Sequence, residues 1–476
     1  MTLLDTLLDD APGACPIHLV RPAGFAAWRD APPEGSGQAA AWLTASGFEG
    51  KAGRHALIPG PDGGLAAVVL VAEADEPGLI WDLAALRAAL PQGDYALQAD
   101  AAAPADAAAT AQAAALGWVL GGWRFDRYRR QPLQGRDPQA VRLAWPAAAD
   151  RASVRRMAEA ILLVRRLVTT PAEDMGPDQI ADAARGIAAR HGARFRLVRG
   201  DALLAENYPM IHAVGRASAR PPLLADLRWG PEDAPRLGIV GKGVVFDTGG
   251  LDLKPAAGMA LMKKDMGGAA HALALAGMVM DAGLNVRLRL LLPCVENAVS
   301  GSAFRPGDVL ASRRGLSVEI GNTDAEGRLI LADALADAGD EAPDLLLDFA
   351  TLTGAARVAL GPEVPPFFTD DDDLAATLAA ASTACGDPLW RLPLHAPYRT
   401  MIDSTIADIN NAGEGGFAGA VTAALFLKEF VGAAKSWAHF DIYAWNAKAR
   451  PGRPVGGEAM ALRAVFKVLE ERYGAP

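Results

Sequence analysis

Three nearly continuous apolar segments, separated by stretches with helical spacing, constrain the fold of this chain more than any other feature. The apolar segments lie at 236–246, 286–295 and 344–351, and helical patterns lie at 267–281 and 327–338. Strands without apolar–polar alternation are typical of a parallel sheet that helices cover on both faces. The alternation therefore predicts an α/β fold with a mostly parallel central sheet flanked by helices.

A smaller unit is predicted ahead of this sheet. It contains an apolar strand candidate at 64–72, and an alanine-rich stretch that runs into apolar residues predicts a helix over 105–121. The alternative for 101–115 is a low-complexity linker. Helical periodicity over 150–167 favours a connecting helix. The predicted domains are a smaller N-terminal α/β domain at 1–140, a connecting helix at 141–167 and a larger α/β domain at 168–476.

Composition narrows the class of protein. The chain has 476 residues, of which 51% are hydrophobic and 21% charged, as is ordinary for a globular protein with a large core. The formal net charge of -10 disfavours nucleic acids and anionic membranes as partners. No stretch reaches the roughly 18 uninterrupted apolar residues of a membrane span, and residues 1–10 do not resemble a signal peptide. We therefore expect a cytoplasmic protein.

Cysteine and histidine spacing excludes several kinds of site. The three cysteines lie far apart and form no Cys-x-x-Cys pair, which disfavours a zinc knuckle or a disulfide framework. The chain contains no His-Glu-x-x-His and no Gly-x-Ser-x-Gly, so it is not a zincin, and a serine hydrolase of the α/β type is disfavoured. His439 lies in an apolar segment and is predicted to be a core residue rather than a ligand.

Two carboxylates, Asp324 and Glu326, lie just ahead of the helical pattern at 327–338. Thr323 and Glu326 also match a capping box, which would explain both residues without a metal ion but would leave Asp324 unexplained. Hard divalent cations prefer carboxylate oxygens, and carboxylates can bridge paired ions. The spacing therefore favours a metal site over a helix cap.

A second polar cluster lies upstream, around the end of the first apolar segment. Lys242 stands between glycines, but the residues around it do not match a phosphate-binding loop. Asp247 lies at the carboxyl end of the predicted strand, where ligands of open α/β sheets collect. A buried lysine could pair with Asp247 or Asp265, or its pKa could be depressed by a metal ion. Asp265 could instead cap the helix at 267–281.

These segments together resemble the leucyl aminopeptidase (cytosol aminopeptidase) family of dinuclear metallo-aminopeptidases. The resemblance covers about 168–465 and is weak over the first 140 residues. The most specific segment is 322–329 (NTDAEGRL). The other segments that carry the resemblance are 240–250, 253–255, 262–270, 296–297, 300–301, 305–308 and 350–355.

The resemblance implies a centre that holds two divalent metal ions, Mn or Zn with Mg and Co as alternatives. Asp247 and Glu326 would bridge the ions, Lys242 and Asp265 would complete the tighter site, and Asp324 would complete the more exchangeable one. A water or hydroxide between the metals would be the nucleophile. The substrate's free amine would bind at the tighter site, which implies an aminopeptidase that acts on short peptides.

The resemblance also implies three further contributions to catalysis. Lys254 would polarise the scissile carbonyl and stabilise the gem-diolate. Arg328 would hold a bicarbonate ion that relays protons in place of a protein base. The main-chain carbonyl of Leu352 would contact the intermediate or the leaving amine. Family membership implies a homohexamer.

One segment departs from the family pattern. Members commonly carry Asp-Ile-Ala-Gly where this chain has Asp-Ile-Tyr-Ala-Trp-Asn at 441–446. Tyr443 and Asn446 thereby replace positions that line the side-chain pocket in the family, together with Met262, Thr351 and Gly354. We therefore expect a side-chain preference that differs from leucine. The alternative is that Tyr443 points into the core with its hydroxyl bonded to the backbone.

A rival hypothesis from another class is a DNA-binding architectural protein with a peptidase-like fold. The net charge of -10 and the lack of a basic tail disfavour it. A basic cluster at Arg127, Arg129, Arg130, Arg156, Arg165 and Arg166 is the sequence feature that would support it.

Overall fold

The computed structural model describes residues 2–33, 36, 38–72, 76–99, 106–130, 137–413 and 415–474. The chain forms two compact units, one of Met1–Leu162 with Lys448–Val455 and one of Leu163–Ala447 with Gly456–Pro476. The connecting helix predicted at 141–167 is α5 (Arg151–Thr169), and its predicted start was wrong because Val141–Ala144 form a strand. Residue 162, where the first unit ends, lies within α5. The predicted domain boundaries at 140 and 167 stay a prediction.

The first unit contains a sheet with helices packed beside it. Its described strands are β1 (Leu7–Leu8), β2 (Cys15–Val20), β3 (Arg54–Pro59), β4 (Leu65–Val71), β5 (Gly93–Ala99) and β6 (Val141–Ala144). Its described helices before α5 are α1 (Phe25–Asp30), α2 (Ala39–Ala45), α3 (Glu76–Ala89) and α4 (Ala107–Gly121). The strand order is β1-β6-β5-β2-β4-β3, and only β3 pairs antiparallel among these described strands.

Two sequence predictions fall in this unit. The strand predicted at 64–72 is β4, and the helix predicted at 105–121 is α4. Asp106 explains where α4 begins, because its side chain accepts hydrogen bonds from the N–H groups of Ala108 and Ala109. The linker alternative is thus wrong for 107–115, and 101–105 lie outside the described residues.

The second unit is built on a larger mixed sheet. Its described strands are β7 (Arg194–Arg199), β8 (Leu223–Trp229), β9 (Arg236–Gly241), β10 (Gly243–Asp247), β11 (Arg287–Asn297), β12 (Val309–Ala311), β13 (Ser317–Glu319), β14 (Leu345–Ala350), β15 (Pro366–Phe368), β16 (Trp390–Arg391), β17 (Ile409–Asn410), β18 (Trp437–Asp441), β19 (Trp445–Asn446) and β20 (Gly456–Gly457). Its described helices are α6 (Pro177–Arg190), α7 (Ala202–Ala205), α8 (Pro209–Gly215), α9 (Ala256–Met259), α10 (Gly267–Asp281), α11 (Glu326–Gly339), α12 (Gly354–Leu360), α13 (Asp372–Cys385), α14 (Gly419–Lys428) and α15 (Leu462–Tyr473).

The main sheet is mostly parallel, as predicted. Its order is β16-β15-β18-β14-β9-β11-β8-β7, with β10 beside β11. The central strands β18, β14, β9 and β11 pair in parallel, whereas β7, β8 and β15 supply the antiparallel pairs. The strand predicted as one segment at 236–246 is two strands, because the chain leaves the ladder at Lys242.

Helices cover both faces of this sheet. A Cβ on Gly241 of β9 would lie 2.7 Å from Ala269 of α10, whereas a Cβ on Gly238 would lie 3.9 Å from Ala338 of α11. Residues three apart on a strand face opposite sides of the sheet, so α10 and α11 lie on opposite faces. The predicted two-domain α/β fold is confirmed. No helix in the described part of the chain has the length and hydrophobicity that a membrane crossing requires.

A buried histidine joins α10 to the segment before α15. His271 Nδ1 donates to the carbonyl of Gly267 (2.7 Å), and Nε2 accepts the N–H of Met460 (2.9 Å). Both ring nitrogens are therefore used by the neutral ring. Burial lowers the pKa of His271 from 6.5 to about 4.

We expect His271 to contribute to acid denaturation. A pKa that is lowered by folding stabilises the protein fully above pH 6.5, and this contribution is lost as the pH falls through about 4. The His271→Gln variant can keep both hydrogen bonds but does not titrate. Between pH 7 and pH 4, the free energy of unfolding of this variant should fall by about 3 kcal/mol less than that of the wild type. Denaturant unfolding measured from pH 7 to pH 4 checks this, with the exposed His395→Gln as the control. Parallel curves for wild type and His271→Gln would contradict it.

Candidate metal centre

The side chains of the candidate centre converge at the carboxyl ends of parallel strands. Lys242 follows β9, Asp247 ends β10 and Thr351 follows β14. Strand β9 pairs in parallel with β14, and β10 pairs in parallel with β11. Because parallel strands end at the same edge of a sheet, residues far apart in sequence meet there. The predicted position of Asp247 at a strand end is confirmed.

Lys242 is only 3% exposed and lies among carboxylates. Its Nζ lies 2.7 Å from Asp265 Oδ2 and 3.0 Å from Glu326 Oε1. It also donates to the main-chain carbonyl of Thr351 (3.1 Å). Burial alone would lower the pKa of Lys242, but the carboxylates, led by Asp265, outweigh burial and raise it. A Cβ on Gly327 would lie 2.4 Å from Lys242 Cε, so only glycine leaves room for this lysine.

Asp265 is not a helix cap, so that alternative is wrong. The residue before α10 is Met266, and no side chain caps the helix start. Asp265 lies instead in the short 3-10 helix Met262–Met266, where Thr351 Oγ1 is 2.8 Å from its Oδ1 and 2.9 Å from its main-chain oxygen. Burial opposes ionisation of Asp265, but Lys242 lowers its pKa below the usual value. The carboxylate is therefore held ionised.

Asn297 orients Asp247, a contribution that sequence reasoning missed. Asn297 ends β11 and is buried, and its Nδ2 donates to Asp247 Oδ1 (2.9 Å) and to the carbonyl of Thr323 (3.2 Å). The N–H of Gly249 donates to the same Asp247 oxygen (2.8 Å). Lys254 Nζ lies 2.8 Å from the other oxygen. Asp247 is thus held by both of its carboxylate oxygens.

Asp324 and Glu326 bring two more carboxylates to the same place. Lys254 Nζ contacts Asp324 Oδ1 as well as Asp247. Burial, reinforced by the charge of Asp247, raises the pKa of Asp324 to about 6 and that of Glu326 to about 8. Such shifts are what like charges crowded in one buried site produce.

The crowded carboxylates fit a divalent cation. Asp247, Asp265 and Glu326 each offer an oxygen, and these oxygens lie within 4.8 Å of one another. Both Glu326 oxygens are buried, and within the described ranges neither accepts a hydrogen bond of acceptable geometry, although Oε1 lies near Lys242. Buried carboxylate oxygens normally have a partner, and hard divalent ions are bound by such groups.

The capping-box alternative for Thr323 and Glu326 is also wrong. The residue that precedes α11 is Ala325, and no side chain caps this helix. Thr323 Oγ1 donates to the carbonyl of Gly249 (2.6 Å), and the N–H of Thr323 donates to Asp252 Oδ2 (2.7 Å). Thr323 therefore ties the segment that carries Asp324 to the turn after β10.

Arg328 points into the same region from the first turn of α11. It is buried, lies over the ring of Phe426, and donates from Nη1 to the carbonyl of Asn411 (2.6 Å). Its Nε has no hydrogen-bond partner in the described structure. Burial lowers the pKa of Arg328 to about 10, so the guanidinium remains charged at neutral pH.

Asn411 is a second residue that sequence reasoning missed. Its Oδ1 accepts the N–H groups of Gly321 (2.8 Å) and Asn322 (3.2 Å), and its Nδ2 donates to the carbonyls of Asn322 (2.8 Å) and Ala325 (3.3 Å). Its main-chain carbonyl meanwhile binds Arg328. One buried residue thus holds the segment before α11 with its side chain and the arginine with its main-chain carbonyl. An asparagine in a loop gives no sequence signal for such a role.

Tyr443 lies between two cations rather than in the core. Lys264 Nζ is 5.1 Å from its ring centroid, and Arg357 Cζ is 4.8 Å from it. The ring is half-buried, and its hydroxyl makes no hydrogen bond to any part of the chain that the structure describes. The alternative in which the hydroxyl bonds to the backbone is therefore wrong. Burial lowers the pKa of Lys264 to about 8.

The other predicted pocket residues come from three separate segments. Met262 begins the 3-10 helix before α10 and is half-buried. Leu352 follows Thr351 after β14, and Gly354 is the exposed first residue of α12. Asn446 is buried in β19. A Cβ on Gly267 would lie 2.4 Å from Ala444 Cβ, which places the segment with Tyr443 beside the start of α10.

His439 is a core residue, as predicted. It is fully buried in β18, and its Nδ1 lies 2.6 Å from Asp348 Oδ1. Trp437 Nε1 donates to the other Asp348 oxygen (2.8 Å). The negative charge of Asp348 outweighs burial and raises the pKa of His439.

Comparisons with known proteins identify the family. The catalytic domain of the cytosol aminopeptidase family matches residues 162–466, and the M17 aminopeptidase N-terminal domain matches residues 15–144. Peptidase B of Enterobacter sp. (strain 638) is 40% identical over 361 residues, which are 73% of this chain and 84% of that protein. The crystal structure of cytosol aminopeptidase from Coxiella burnetii is 48% identical with a TM-score of 0.92, over 98% of this chain and 100% of that one. The bottromycin maturation enzyme BotP in complex with Mn is 36% identical with a TM-score of 0.84, over 97% and 100%.

A buried carboxylate cluster at the ends of parallel strands is typical of a metal-dependent hydrolase. The family matches make this more specific: the chain belongs to the cytosol aminopeptidase family. It is a metal-dependent aminopeptidase, which hydrolyses peptide bonds.

Proposed function

We propose that this aminopeptidase releases N-terminal residues from short peptides at a centre of two divalent ions, with a bicarbonate-assisted proton relay. The observation that carries the proposal is the buried cluster of Asp247, Asp265 and Glu326, whose oxygens lie within 4.8 Å of one another. When bound, two such ions would lower the pKa of a water molecule and polarise the scissile carbonyl.

Five residues would hold the ions. Asp247 and Glu326 would bridge them, as the family resemblance implies; Glu326 lies 3.0 Å from Lys242, and Asp247 lies 2.8 Å from Lys254. Lys242 and Asp265 would complete one site, where the bound ion would displace the proton that the carboxylates otherwise hold on Lys242, and Asp324 would complete the other. Asp324 is the most exposed of the carboxylates, with 33% of its side chain accessible, which supports the more exchangeable site there. The ions are Mn or Zn, with Mg and Co as alternatives.

Lys254 would bind the oxygen of the scissile carbonyl. Its pKa is raised because Asp247 and Asp324 outweigh the effect of burial, so it carries a positive charge at neutral pH. A fixed cation next to a carbonyl stabilises the negative charge that develops on the oxygen in the transition state. The side chain is 15% exposed, so a substrate can reach it.

Arg328 would hold bicarbonate. It is a buried cation with an Nε that has no partner in the described structure, and an anion with planar oxygens suits a guanidinium. The nearby carboxylates are proposed as metal ligands, which leaves no protein base for the proton of the attacking water. Bicarbonate at Arg328 would take this proton and pass it to the leaving amine.

The side-chain pocket would favour residues other than leucine. Met262, Thr351, Leu352, Gly354, Tyr443 and Asn446 are the residues proposed to contact the substrate. The ring of Tyr443 occupies volume, and Lys264 and Arg357 place two positive charges beside it. The isobutyl side chain of leucine would gain little binding free energy next to cations, whereas a smaller or more polar side chain would fit.

We extend the proposal to a homohexamer in the cytoplasm. Val358 of α12 is 90% exposed and Phe417, just before α14, is 87% exposed. These two side chains would be available for burial against another subunit, and the hexamer itself is what the family resemblance implies. The DNA-binding alternative has no comparable support, because the net charge is -10 and Arg165 of the basic cluster is buried in an ion pair with Glu458.

Asp324→Asn should lower peptide turnover by at least about 100-fold, because an amide is a poorer ligand than a carboxylate for a hard ion. The number of bound metal ions per chain, measured by metal analysis, should fall from two toward one while the protein stays folded. Asp340→Asn is the control, since Asp340 is an exposed aspartate at the other end of α11. Full turnover with two ions bound would refute the ligand assignment.

Arg328→Ala should lower turnover without changing the number of bound ions, because Arg328 is proposed to hold an anion and not a metal. Added bicarbonate should stimulate the wild type and the exposed-residue control Arg305→Ala much more than Arg328→Ala. Steady-state rates across a bicarbonate series give this comparison. If bicarbonate stimulates all three proteins equally, the anion binds elsewhere.

Tyr443→Ala should move the preference toward leucine. Each methylene that fits an apolar pocket contributes about 1–3 kcal/mol, so restored volume should raise kcat/KM for leucyl relative to alanyl substrates by one or two orders of magnitude. The measurement compares glycyl, alanyl, methionyl and leucyl substrates in both proteins. Tyr398→Ala, an exposed tyrosine outside the candidate centre, is the control. An unchanged ranking in Tyr443→Ala would show that the ring does not shape the pocket.

A further inference from the structure

Asp441 is a buried carboxylate at the end of β18 that the proposed chemistry does not use. We infer that it is a positioning residue: it fixes the direction of the Leu352 carbonyl, and thereby places the acceptor for the leaving amine. The inference rests on the proposed function, because only there does this carbonyl meet the substrate.

Asp441 binds the segment after β14 through three hydrogen bonds. Its Oδ1 accepts the N–H of Leu352 (2.9 Å) and the N–H of Thr353 (3.1 Å). Its Oδ2 accepts the hydroxyl of Thr353 (2.6 Å). Two successive N–H groups that converge on one oxygen are a fixed backbone arrangement, because each additional bond removes rotation about the chain.

These bonds determine where the carbonyls point. The Leu352 carbonyl and the Thr353 N–H belong to one planar trans peptide group, so they point in opposite directions. Since the Thr353 N–H points at Asp441, the Leu352 carbonyl points away from it. The Thr351 carbonyl and the Leu352 N–H are related in the same way.

The opposite side of this segment faces the carboxylate cluster. The Thr351 carbonyl, which also points away from Asp441, accepts a hydrogen bond from Lys242 Nζ (3.1 Å). Thr351 Oγ1 lies 2.8 Å from Asp265 Oδ1. The segment is therefore held between Asp441 on one side and the proposed metal ligands on the other, with the Leu352 carbonyl directed toward the ligand side.

The same carboxylate also supports one wall of the side-chain pocket. Thr353 Oγ1, which donates to Asp441, accepts the N–H of Ala356 (3.1 Å) and so caps α12. α12 carries Arg357, whose guanidinium lies over Tyr443. Tyr443 itself lies two residues after Asp441. One carboxylate therefore supports both the helix that carries Arg357 and the segment that carries Tyr443.

The test compares an amide with an ester. The scissile nitrogen of a peptide carries an N–H throughout the reaction that can donate to the Leu352 carbonyl, whereas the ester oxygen of the matching depsipeptide carries no hydrogen until it leaves. Asp441→Ala should therefore lose about tenfold more kcat on the peptide than on the depsipeptide, the value of one ordinary hydrogen bond. Asp441→Asn keeps an oxygen aimed at the two N–H groups and should show a smaller loss in the same direction, since a neutral acceptor is weaker.

Asp387→Ala is the matched control. Asp387 is another buried aspartate, and it accepts the N–H groups of Ala461, Arg463 and Ala464 at the start of α15. Its loss should lower the thermal unfolding midpoint, as Asp441→Ala should, without changing the ratio of peptide to depsipeptide rates. Bound metal, measured in every variant, should stay at the wild-type level.

Two results would overturn the inference. Equal losses on peptide and depsipeptide in Asp441→Ala would show that Asp441 only stabilises the fold. Should that variant not fold, an unchanged peptide-to-depsipeptide ratio in Asp441→Asn would have the same meaning. A metal-loaded wild type that hydrolyses neither substrate would instead refute the proposed function, and with it the inference that depends on it.

Discussion

The burial of Lys242 among carboxylates is the constraint on which the rest of the catalytic unit depends. A lysine that is 3% exposed needs compensating charge, and Asp265 and Glu326 supply it at 2.7 and 3.0 Å. Its main chain is equally constrained, because its N–H donates to the Phe349 carbonyl and its own carbonyl accepts the N–H of Ala269. One residue thus joins β9 to β14 and to the first turn of α10. The glycine at 327 is required for the same reason, since any side chain there would occupy the place of the lysine.

Elements whose pattern is set by burial could be predicted from sequence. The helix expected at 267–281 is α10 with the same bounds, because most of its residues are apolar and suit a buried helix. The strand expected at 236–246 was wrong in one respect, since it breaks at Lys242. At that break the main chain of Lys242 bonds to Phe349 and Ala269, and no local pattern encodes contacts across such a distance.

The candidate site divides in the same way. Asp324 and Glu326 could be recognised from sequence because they lie close together in a distinctive segment. The two helix-cap alternatives were wrong because the side chains concerned bond to residues far away in the chain. The Thr323 hydroxyl donates a hydrogen bond to the carbonyl of Gly249, 74 residues away, and therefore does not cap α11. Asn411 could not be found at all, because its partners lie 83 to 90 residues earlier in the chain. The role of a residue that binds only backbone groups cannot be predicted from the spacing of charged residues in the sequence.

The departure from the family pattern at Tyr443 is coupled in space to two cationic side chains. Tyr443 stands where the common motif has alanine, and the structure places both Lys264 and Arg357 within cation–π distance of its ring. A cation over the face of a tyrosine ring is attracted to it, so the ring and the two charges stabilise one another. Removal of the ring would therefore do more than enlarge the pocket, because it would also leave the buried Lys264 without the aromatic face it lies against. We therefore propose that preference in this enzyme depends on three residues from three segments and not on the residue at 443 alone.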